Sequence, residues 1–293
     1  MPVPRQRAGL RVARGGPDIK SPDAPANLPP LTWQADWSRA DGTDYAITAV
    51  GMSTALVAAL LKPQPKHYYG GVLFDEGVRD AIGLRSLQDR YTARDVSDVS
   101  LAMLVTAPFF VDALVTAWWY RGSSDVAREM ALIDAKTLAV VAALQGATNG
   151  LASRERPYGR ECGTALPGDL SDCTGNVRYR SFFSGHAAFS FASAGLVCSH
   201  HLRLGLLGGR ADTFACVSAA LAAGATASLR VLGDMHYASD VLTGALVGTA
   251  AGLGIPALHY GGRKPQLTSS GGAGGVQITV VPMSLGAGLV GAF

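Results

Sequence analysis

Six apolar segments constrain the fold of this chain more than any other feature of its sequence. They lie at about 44–61, 99–119, 130–149, 183–203, 213–232 and 236–256. Each approaches the length of roughly 20 residues that a helix needs to cross a bilayer. Only 16% of the residues are charged, so burying all six in a soluble helical bundle, the alternative, is difficult. The sequence therefore predicts an all-α fold, a six-helix transmembrane bundle, with a short C-terminal β-like appendage.

The regions around the bundle divide the chain into three parts. Residues 1–42 form a basic, Pro- and Gly-rich arm that we expect to be disordered. Residues 43–262 form the helical domain. Residues 263–293 combine a Gly-rich linker at 267–275 with a tail in which VQITVV has the pattern of a β-strand. This tail is the expected appendage.

Basic residues predict how the bundle lies in the membrane. One side of the six spans collects Arg5, Arg7, Arg11, Arg14, Lys20, Arg121, Arg203, Arg210, Arg263 and Lys264. By the positive-inside rule this side is cytoplasmic, although loop 62–98 on the other side also carries basic residues. We expect a multi-pass protein of a bacterial-type inner (plasma) membrane, with loops 62–98 and 150–182 on the periplasmic face. The net charge of +3, without a long basic run, argues against nucleic acid as a partner.

Three charged residues fall inside the predicted spans. Asp112, Asp134 and Lys136 should face the interior of the bundle and pair there, because unpaired charges in a bilayer are costly. Asp134 and Lys136 are two residues apart and do not share a helix face. Asp112 and Lys136 are therefore the candidate pair, with a structural role.

The stretch RVLGDMHYASD places an arginine, a histidine and an aspartate at the boundary between two spans. His236 and Asp240 are four residues apart and lie on one helix face. A carboxylate there can hydrogen-bond one imidazole nitrogen, fix the tautomer and leave the other nitrogen as a nucleophile. Arg230 ends the preceding span, across a corner that contains Gly233.

Two further stretches fall on the same predicted face of the membrane. SFFSGHAAFS places Ser184, Gly185 and His186 at the start of the fourth span, where free amides and the helix dipole favour an anion. NGLASRERP places Arg154 and Arg156 just after the third span. Arginines can hold the oxygens of a phosphoryl group while one histidine attacks phosphorus and another protonates the leaving oxygen. No cluster has the spacing of metal ligands, so we expect chemistry without a metal or cofactor.

Together, the three stretches resemble the tripartite signature of the type 2 phosphatidic acid phosphatase family. That family includes membrane lipid phosphatases, soluble bacterial acid phosphatases and vanadium haloperoxidases, and its pattern is K-x6-RP, PSGH and SR-x5-H-x3-D. The resemblance covers roughly residues 44–260. The chain departs from the pattern at three positions, with Asn149 for lysine, Phe183 for proline and Leu229 for serine.

The resemblance implies a role for each residue of the motifs. His236 is the nucleophile that becomes a phosphohistidine, Asp240 orients it, and His186 protonates the leaving group and later activates water. The phosphate would be held by Arg156, Arg230, Ser184 and the Gly185 amide.

Asn149 stands where the family has a lysine and cannot supply its charge. Arg154, two residues before Arg156, is expected to replace that charge, so both Asn149 and Arg154 belong to the predicted phosphate-binding set.

These features predict a metal-independent membrane phosphatase whose partners are the bilayer and a lipid phosphomonoester or diphosphate. The candidate classes are phosphatidic acid, phosphatidylglycerol phosphate and polyprenyl diphosphate. Two alternatives stay open: a vanadate-dependent haloperoxidase-like enzyme, and a catalytically impaired membrane protein of the same fold. The sequence makes no prediction of oligomeric state.

Four cysteines fall into two groups. Cys162 and Cys173 lie in the loop predicted to be periplasmic, where a disulfide can persist, although two free thiols remain the alternative. Cys198 and Cys216 lie in apolar spans and are expected to be plain core residues.

Overall fold

A computed structural model describes residues 28–63, 68–261, 277–283 and 286–292. Within the first two ranges the chain is all-α and forms eight helices. They are α1 (Gly42–Leu60), α2 (Asp75–Ile82), α3 (Leu87–Ala107), α4 (Ser124–Ala152), α5 (Ser171–Thr174), α6 (Gly185–Leu204), α7 (Arg210–Leu232) and α8 (Ala238–Tyr260). Two short 3₁₀ turns, Pro157–Glu161 and Asn176–Tyr179, lie between α4 and α6.

The helix α3 is longer than the apolar segment that predicts it. It begins at Leu87, capped by the Ser86 side chain, and continues beyond Ala107 as a wider helix of the π type, Pro108–Tyr120. The sequence prediction began at 99 because the first twelve residues of α3 are largely polar. Hydropathy alone therefore missed the part of α3 that extends past the apolar region.

The six long helices run alternately between the two ends of the bundle. At one end, Arg180 donates to the carbonyl of Leu61, just after α1, and the Ser184 amide before α6 donates to the carbonyl of Asp240 in α8. At the other end, Arg121 before α4 donates to the carbonyl of Leu206, just after α6. The helix α6 therefore runs the full length of the bundle.

Five helical stretches have the length and composition of membrane spans. They are Gly42–Leu60, Leu87–Tyr120, Ser124–Ala152, Arg210–Leu232 and Ala238–Tyr260. Five of the six predicted membrane spans therefore meet these criteria, and the sixth, α6, does not. The histidines of α6 lower its hydropathy, and α6 is enclosed by α3, α4, α7 and α8, so its surface meets other helices. A helix in that position does not need a continuous apolar surface.

The outward faces of the bundle are apolar. Leu60, Phe214 and Leu246 are each more than 70% exposed, at 75%, 74% and 72%. Large exposed apolar surfaces are unfavourable in water and suit a lipid environment. The described structure is thus that of a multi-pass membrane protein.

Glycines bring α6 and α8 into close contact. A Cβ at Gly244, Gly248 or Gly252 of α8 would overlap a backbone carbonyl oxygen of α6 or of Ser184, its N-cap. A Cβ at Gly195 of α6 would lie 2.6 Å from the carbonyl carbon of Gly252. Small residues of this kind let membrane helices approach through their backbones. The contact fixes the start of α6 against the start of α8.

The charged residues inside the predicted spans do pair, but the predicted Asp112–Lys136 pair is wrong. The pairs are Asp112 with His201 at 3.3 Å, Asp134 with His200 at 2.8 Å, and Lys136 with Asp44 at 2.5 Å and His259 at 2.6 Å. The prediction considered only Asp112, Asp134 and Lys136, and left out the histidines of α6 and α8 and Asp44 at the start of α1.

Part of the arm that the sequence predicts to be disordered packs against the bundle. The Leu31 amide donates to the Ser123 hydroxyl at 2.7 Å, and the rings of Trp33 and Trp37 lie 5.3 and 4.8 Å from the ring of Tyr260. Residues 28–41 are therefore ordered, since their aromatic side chains cover the end of α8. Residues 1–27 lie outside the described part of the chain.

The chain divides into two compact units after residue 262. In the second unit, β1 (Gln277–Met283) pairs with β2 (Gly286–Ala292) in an antiparallel hairpin, with Gln277 opposite Ala292. The strand predicted at VQITVV overlaps β1. The linker predicted at 267–275 lies outside the described residues.

Candidate active site

The three motifs meet at one end of the bundle. The segment after α4 carries Arg154 and Arg156, the start of α6 carries His186, and the corner between α7 and α8 carries His236. The Ser181 amide donates to the carbonyl of Arg154 at 3.0 Å, which joins the first two motifs. Residues up to 86 positions apart in sequence therefore form one cluster.

A backbone carbonyl fixes the tautomer of His236. Nδ1 of His236 lies 2.8 Å from the carbonyl oxygen of Ser181. A carbonyl oxygen only accepts, so Nδ1 must carry the hydrogen and Nε2 keeps its lone pair. The side chain is 2% exposed. His236 thus has the tautomer that a nucleophile at Nε2 requires.

The carboxylate of Asp240 acts on His236 through Ser181, and not by the direct hydrogen bond that the sequence predicts. Its Oδ2 is 3.9 Å from Nδ1 of His236, too far for a hydrogen bond. The same Oδ2 accepts from the Ser181 hydroxyl at 2.6 Å and from the Tyr237 amide at 3.0 Å. Asp240 therefore anchors the residue whose carbonyl orients the imidazole.

Two arginines of the cluster have unsatisfied donors. Nε of Arg156 and Nε of Arg230 are both buried and have no hydrogen-bond partner among the described residues. Among the described residues, the Arg156 side chain otherwise donates only to the sulfur of Met235, at 3.7 Å. Arg230 donates from one terminal nitrogen to Ser97 and Asp98, both at 2.9 Å. Buried donors without acceptors are rare and costly. An anion between the two side chains would satisfy both.

Electrostatics keep His236 neutral. Burial lowers the pKa of His236 well below 6.5, and the positive charges of Arg156 and Arg230 lower it further. Burial likewise lowers the pKa of Arg156, although an arginine stays protonated in proteins. The site therefore combines a neutral imidazole with two guanidinium cations.

The geometry of Arg154 differs from that of Arg156 and Arg230. It is 2% exposed and makes five hydrogen bonds: two to the Gly70 carbonyl and one each to Asp75, Ser239 and Asp240. These account for all the N–H groups of a guanidinium. The predicted role of Arg154 as a substitute for the missing lysine does not fit this geometry, since its charge is already matched by two buried carboxylates.

Asn149, which stands where the family has a lysine, makes structural hydrogen bonds. Its Nδ2 donates to the carbonyl of Phe183 at 3.2 Å and to that of Gln145 at 3.1 Å. Phe183 directly precedes Ser184, the N-cap of α6. Asn149 thus holds the second motif in position and lies at the site without contributing a positive charge.

The start of α6 lies within this cluster. Ser184 caps the helix by accepting from the Ala187 amide at 3.4 Å, and the following amides of Gly185 and His186 belong to the first turn, where intrahelical acceptors are missing. Nε2 of His186 lies 2.7 Å from Oδ1 of Asp98 on α3. The helix dipole adds to the positive character of the site.

Residues before the third span complete the site, and no motif in the sequence predicts them. Arg79 of α2 binds Asp234 through two hydrogen bonds of 2.7 Å, which fixes the corner just before His236. Asp75 of α2 binds Arg154, and Asp98 of α3 binds His186 and Arg230. The stretch DEGVRD has the spacing of an exposed short helix, a signal that could have indicated α2.

Both cysteine pairs form disulfides. Cys162 and Cys173 are joined in the loop between the first two motifs, with Cα atoms 5.6 Å apart. Cys198 and Cys216 are also joined, between α6 and α7, so their prediction as plain core residues is wrong. The sequence could not place these two helices side by side.

Comparison with protein-family models gives a match to part of the chain. The model described as PAP2 superfamily matches residues 131–263, a range that contains all three motifs. It is the family that the motifs resemble. No curated protein and no solved structure matches the chain. The described residues contain no group of three or more His, Cys, Asp or Glu side chains that could hold a metal ion.

Proposed function

We propose, from the PAP2 superfamily domain that residues 131–263 form, that this chain is a membrane phosphatase acting on a lipid phosphomonoester or diphosphate. The observation that carries the proposal is the pair of buried arginines, Arg156 and Arg230, whose Nε donors lack partners beside a neutral His236. Phosphate oxygens are acceptors that arginine binds well, often through two hydrogen bonds.

The reaction would proceed in two steps. In the first, Nε2 of His236 attacks phosphorus, the P–O bond to the leaving group breaks, and His186 gives its Nε2 proton to the departing oxygen. In the second, His186 takes a proton from water, the water oxygen attacks phosphorus, and the P–N bond breaks. Arg156 and Arg230 stabilise the charge on the phosphoryl oxygens in both steps.

A lipid substrate is supported by the position of the site. It lies at one end of a bundle with five candidate membrane spans. Next to it is a cavity of about 300 Å³, lined by Tyr68, Val72, Ala152, Arg154 and Phe182. Four of these side chains are largely apolar, so an acyl or prenyl chain could lie there while the phosphate reaches His236.

Phosphate release by the full-length protein, purified in detergent, tests this proposal. The panel is phosphatidic acid, phosphatidylglycerol phosphate and a polyprenyl diphosphate, with glucose 6-phosphate as the soluble comparison. We expect release from a lipid substrate, unchanged by EDTA because two arginines neutralise the phosphate. Activity that EDTA removes and Mg²⁺ restores would contradict the proposed chemistry, and a preference for glucose 6-phosphate would contradict the lipid substrate. An inactive protein would favour the catalytically impaired alternative.

A further inference from the structure

Asp98 has a position that the family motifs do not explain. It lies on α3, outside residues 131–263, and its side chain is 52% exposed. Its Oδ1 is 2.7 Å from Nε2 of His186 and 2.9 Å from a terminal nitrogen of Arg230. One carboxylate oxygen therefore touches both the predicted proton donor and a predicted phosphate-binding arginine.

These two contacts resemble those that a leaving-group oxygen needs. In the proposed function, the departing oxygen must accept the Nε2 proton of His186 while it is still bonded to phosphorus, close to Arg230. Because a carboxylate oxygen only accepts, the contact with Asp98 requires that Nε2 of His186 carries a hydrogen. Asp98 thus selects the form of His186 that can donate from Nε2.

The charges around His186 explain why such a residue is useful. Burial lowers the pKa of His186 to about 4, the positive charges of Arg230 and Arg156 add to the lowering, and Asp98 opposes it. A site rich in arginine attracts phosphate but disfavours a protonated acid beside it. A carboxylate at hydrogen-bond distance offsets part of that repulsion, and the negative charge of a bound phosphate would offset more of it.

We propose that Asp98 is a positioning residue for the acid step: it orients His186 by accepting the hydrogen on Nε2 and occupies the leaving-group position until substrate displaces it. The inference rests on the proposed function. When the substrate enters, its ester oxygen replaces Oδ1 of Asp98 as the acceptor of the Nε2 proton. The negative charge of the bound substrate favours the imidazolium form of His186, which carries hydrogens on both ring nitrogens. As the P–O bond breaks and the P–N bond to His236 forms, the Nε2 proton passes to the departing oxygen, and His186 is left neutral.

The exposure of Asp98 fits this exchange. Arg230 is 3% exposed and held by Ser97, whereas half of the Asp98 side chain faces solvent. Rotation of Asp98 about its side-chain bonds therefore moves no buried group. Asp98 does not use the Nε donor of Arg230, so this donor remains free to bind a phosphate oxygen.

Dependence on the leaving group separates this role from a structural one. An alkoxide needs a proton to depart, whereas p-nitrophenolate departs well without one. We therefore compare kcat/KM of the full-length protein and of Asp98→Asn on a short-chain phosphatidic acid and on p-nitrophenyl phosphate. The matched control is Asp95→Asn, which changes an exposed aspartate on the same helix that pairs with Arg94.

We expect Asp98→Asn to lower kcat/KM for the phosphatidic acid by about tenfold or more and for p-nitrophenyl phosphate by less than about threefold. Inorganic phosphate should inhibit the variant more strongly than the wild type, because a competing carboxylate has been removed. Asp95→Asn should change neither substrate's rate.

Equal losses on both substrates would show a structural role and overturn the inference, as would unchanged rates on both. A wild-type protein that is inactive on both esters and on the whole lipid panel described above would instead overturn the proposed function. Asp98→Ala repeats the comparison without an acceptor oxygen and should give the same split between substrates.

Discussion

The two ends of the helical bundle use the same residue types in opposite ways. At the end away from the site, Arg121 donates to the carbonyls of Pro29, Gly205 and Leu206. The buried side-chain atoms there that lack partners among the described residues include two acceptors, Oδ2 of Asp112 and Oδ2 of Asp134, and one neutral donor, Nε1 of Trp33. At the site end, such atoms include two cationic donors, Nε of Arg156 and Nε of Arg230, and one neutral acceptor, Oδ1 of Asn149. The difference teaches that a histidine or arginine in the bundle does not mark function by itself. Buried arginine donors without partners do, because they favour an anion.

Replacing one histidine at each end should give the largest contrast. His236→Asn should lower phosphate release by several orders of magnitude, because a nucleophile is lost while the amide can still donate to Ser181. His200→Asn, which disturbs the pair with Asp134, should lower thermal stability and leave kcat within about threefold. Steady-state kinetics and thermal unfolding in detergent measure both. A large loss of kcat in His200→Asn with normal stability would remove the contrast.

Replacing Arg154 should affect the stability of the protein, as replacing His200 does, although Arg154 lies at the site. Arg154→Ala leaves the carboxylates of Asp75 and Asp240 buried without their cation, so it should destabilise the protein by about 3–5 kcal/mol. Adding a lysine at position 149 should not rescue it. Unfolding measurements and kinetics of the single and double variants test this. Rescue of turnover by Asn149→Lys in the Arg154→Ala background would restore the compensation that the sequence alone suggested.

The contact between α6 and α8 should be sensitive to substitution on only one face of α8. Gly248→Ala places a methyl group on a backbone carbonyl and should cost about 1–3 kcal/mol, whereas Gly254→Ala meets no atom within 4 Å and should be neutral or slightly stabilising. Melting temperatures of the two variants compare the same substitution on the same helix. Equal effects would mean that the close contact does not limit the packing.

Of the four predictions, the pH dependence set by His236 should have the smallest effect. Its pKa lies well below the ordinary 6.5 because of burial and two arginines, so as pH falls through 6.5 the imidazole stays neutral and able to attack. Protonation, and with it loss of the nucleophile, should occur only at lower pH. Histidine-labelled NMR spectra, assigned with His236→Asn, measure this in the free protein. Half-protonation at or above pH 6.5 would contradict the expected environment.

Sequence patterns found the parts of the site that are local in the chain. The spacing of His236 and Asp240, the SGH stretch and Arg156 each point to chemistry within a few residues. What the sequence missed depends on long-range contacts. Asp75, Arg79 and Asp98 reach the site from α2 and from the polar first part of α3, which lie between the first two apolar segments. Likewise, the sequence suggests a role for Arg154 but does not show that nearby acceptors already occupy all of its N–H groups.

For the bundle, hydropathy identified six helical segments, and five of them qualify as candidate spans. The sixth, α6, was identified as a helix, but its environment could not be read from its own residues. Its histidines are tolerated because four other helices surround it. The Cys198–Cys216 disulfide escaped prediction for the same reason, since it depends on which helices are neighbours.

The central claim is that the unpaired donors of Arg156 and Arg230 at the site end bind a phosphate anion. Calorimetric titration of the detergent-purified protein with inorganic phosphate tests it directly, with Arg156→Gln and Arg121→Gln as the matched pair. We predict that the wild type binds phosphate, that Arg156→Gln weakens binding by about 1.5–3 kcal/mol, and that Arg121→Gln leaves affinity unchanged. Equal losses in both variants, or a wild-type protein that does not bind phosphate, would contradict the account.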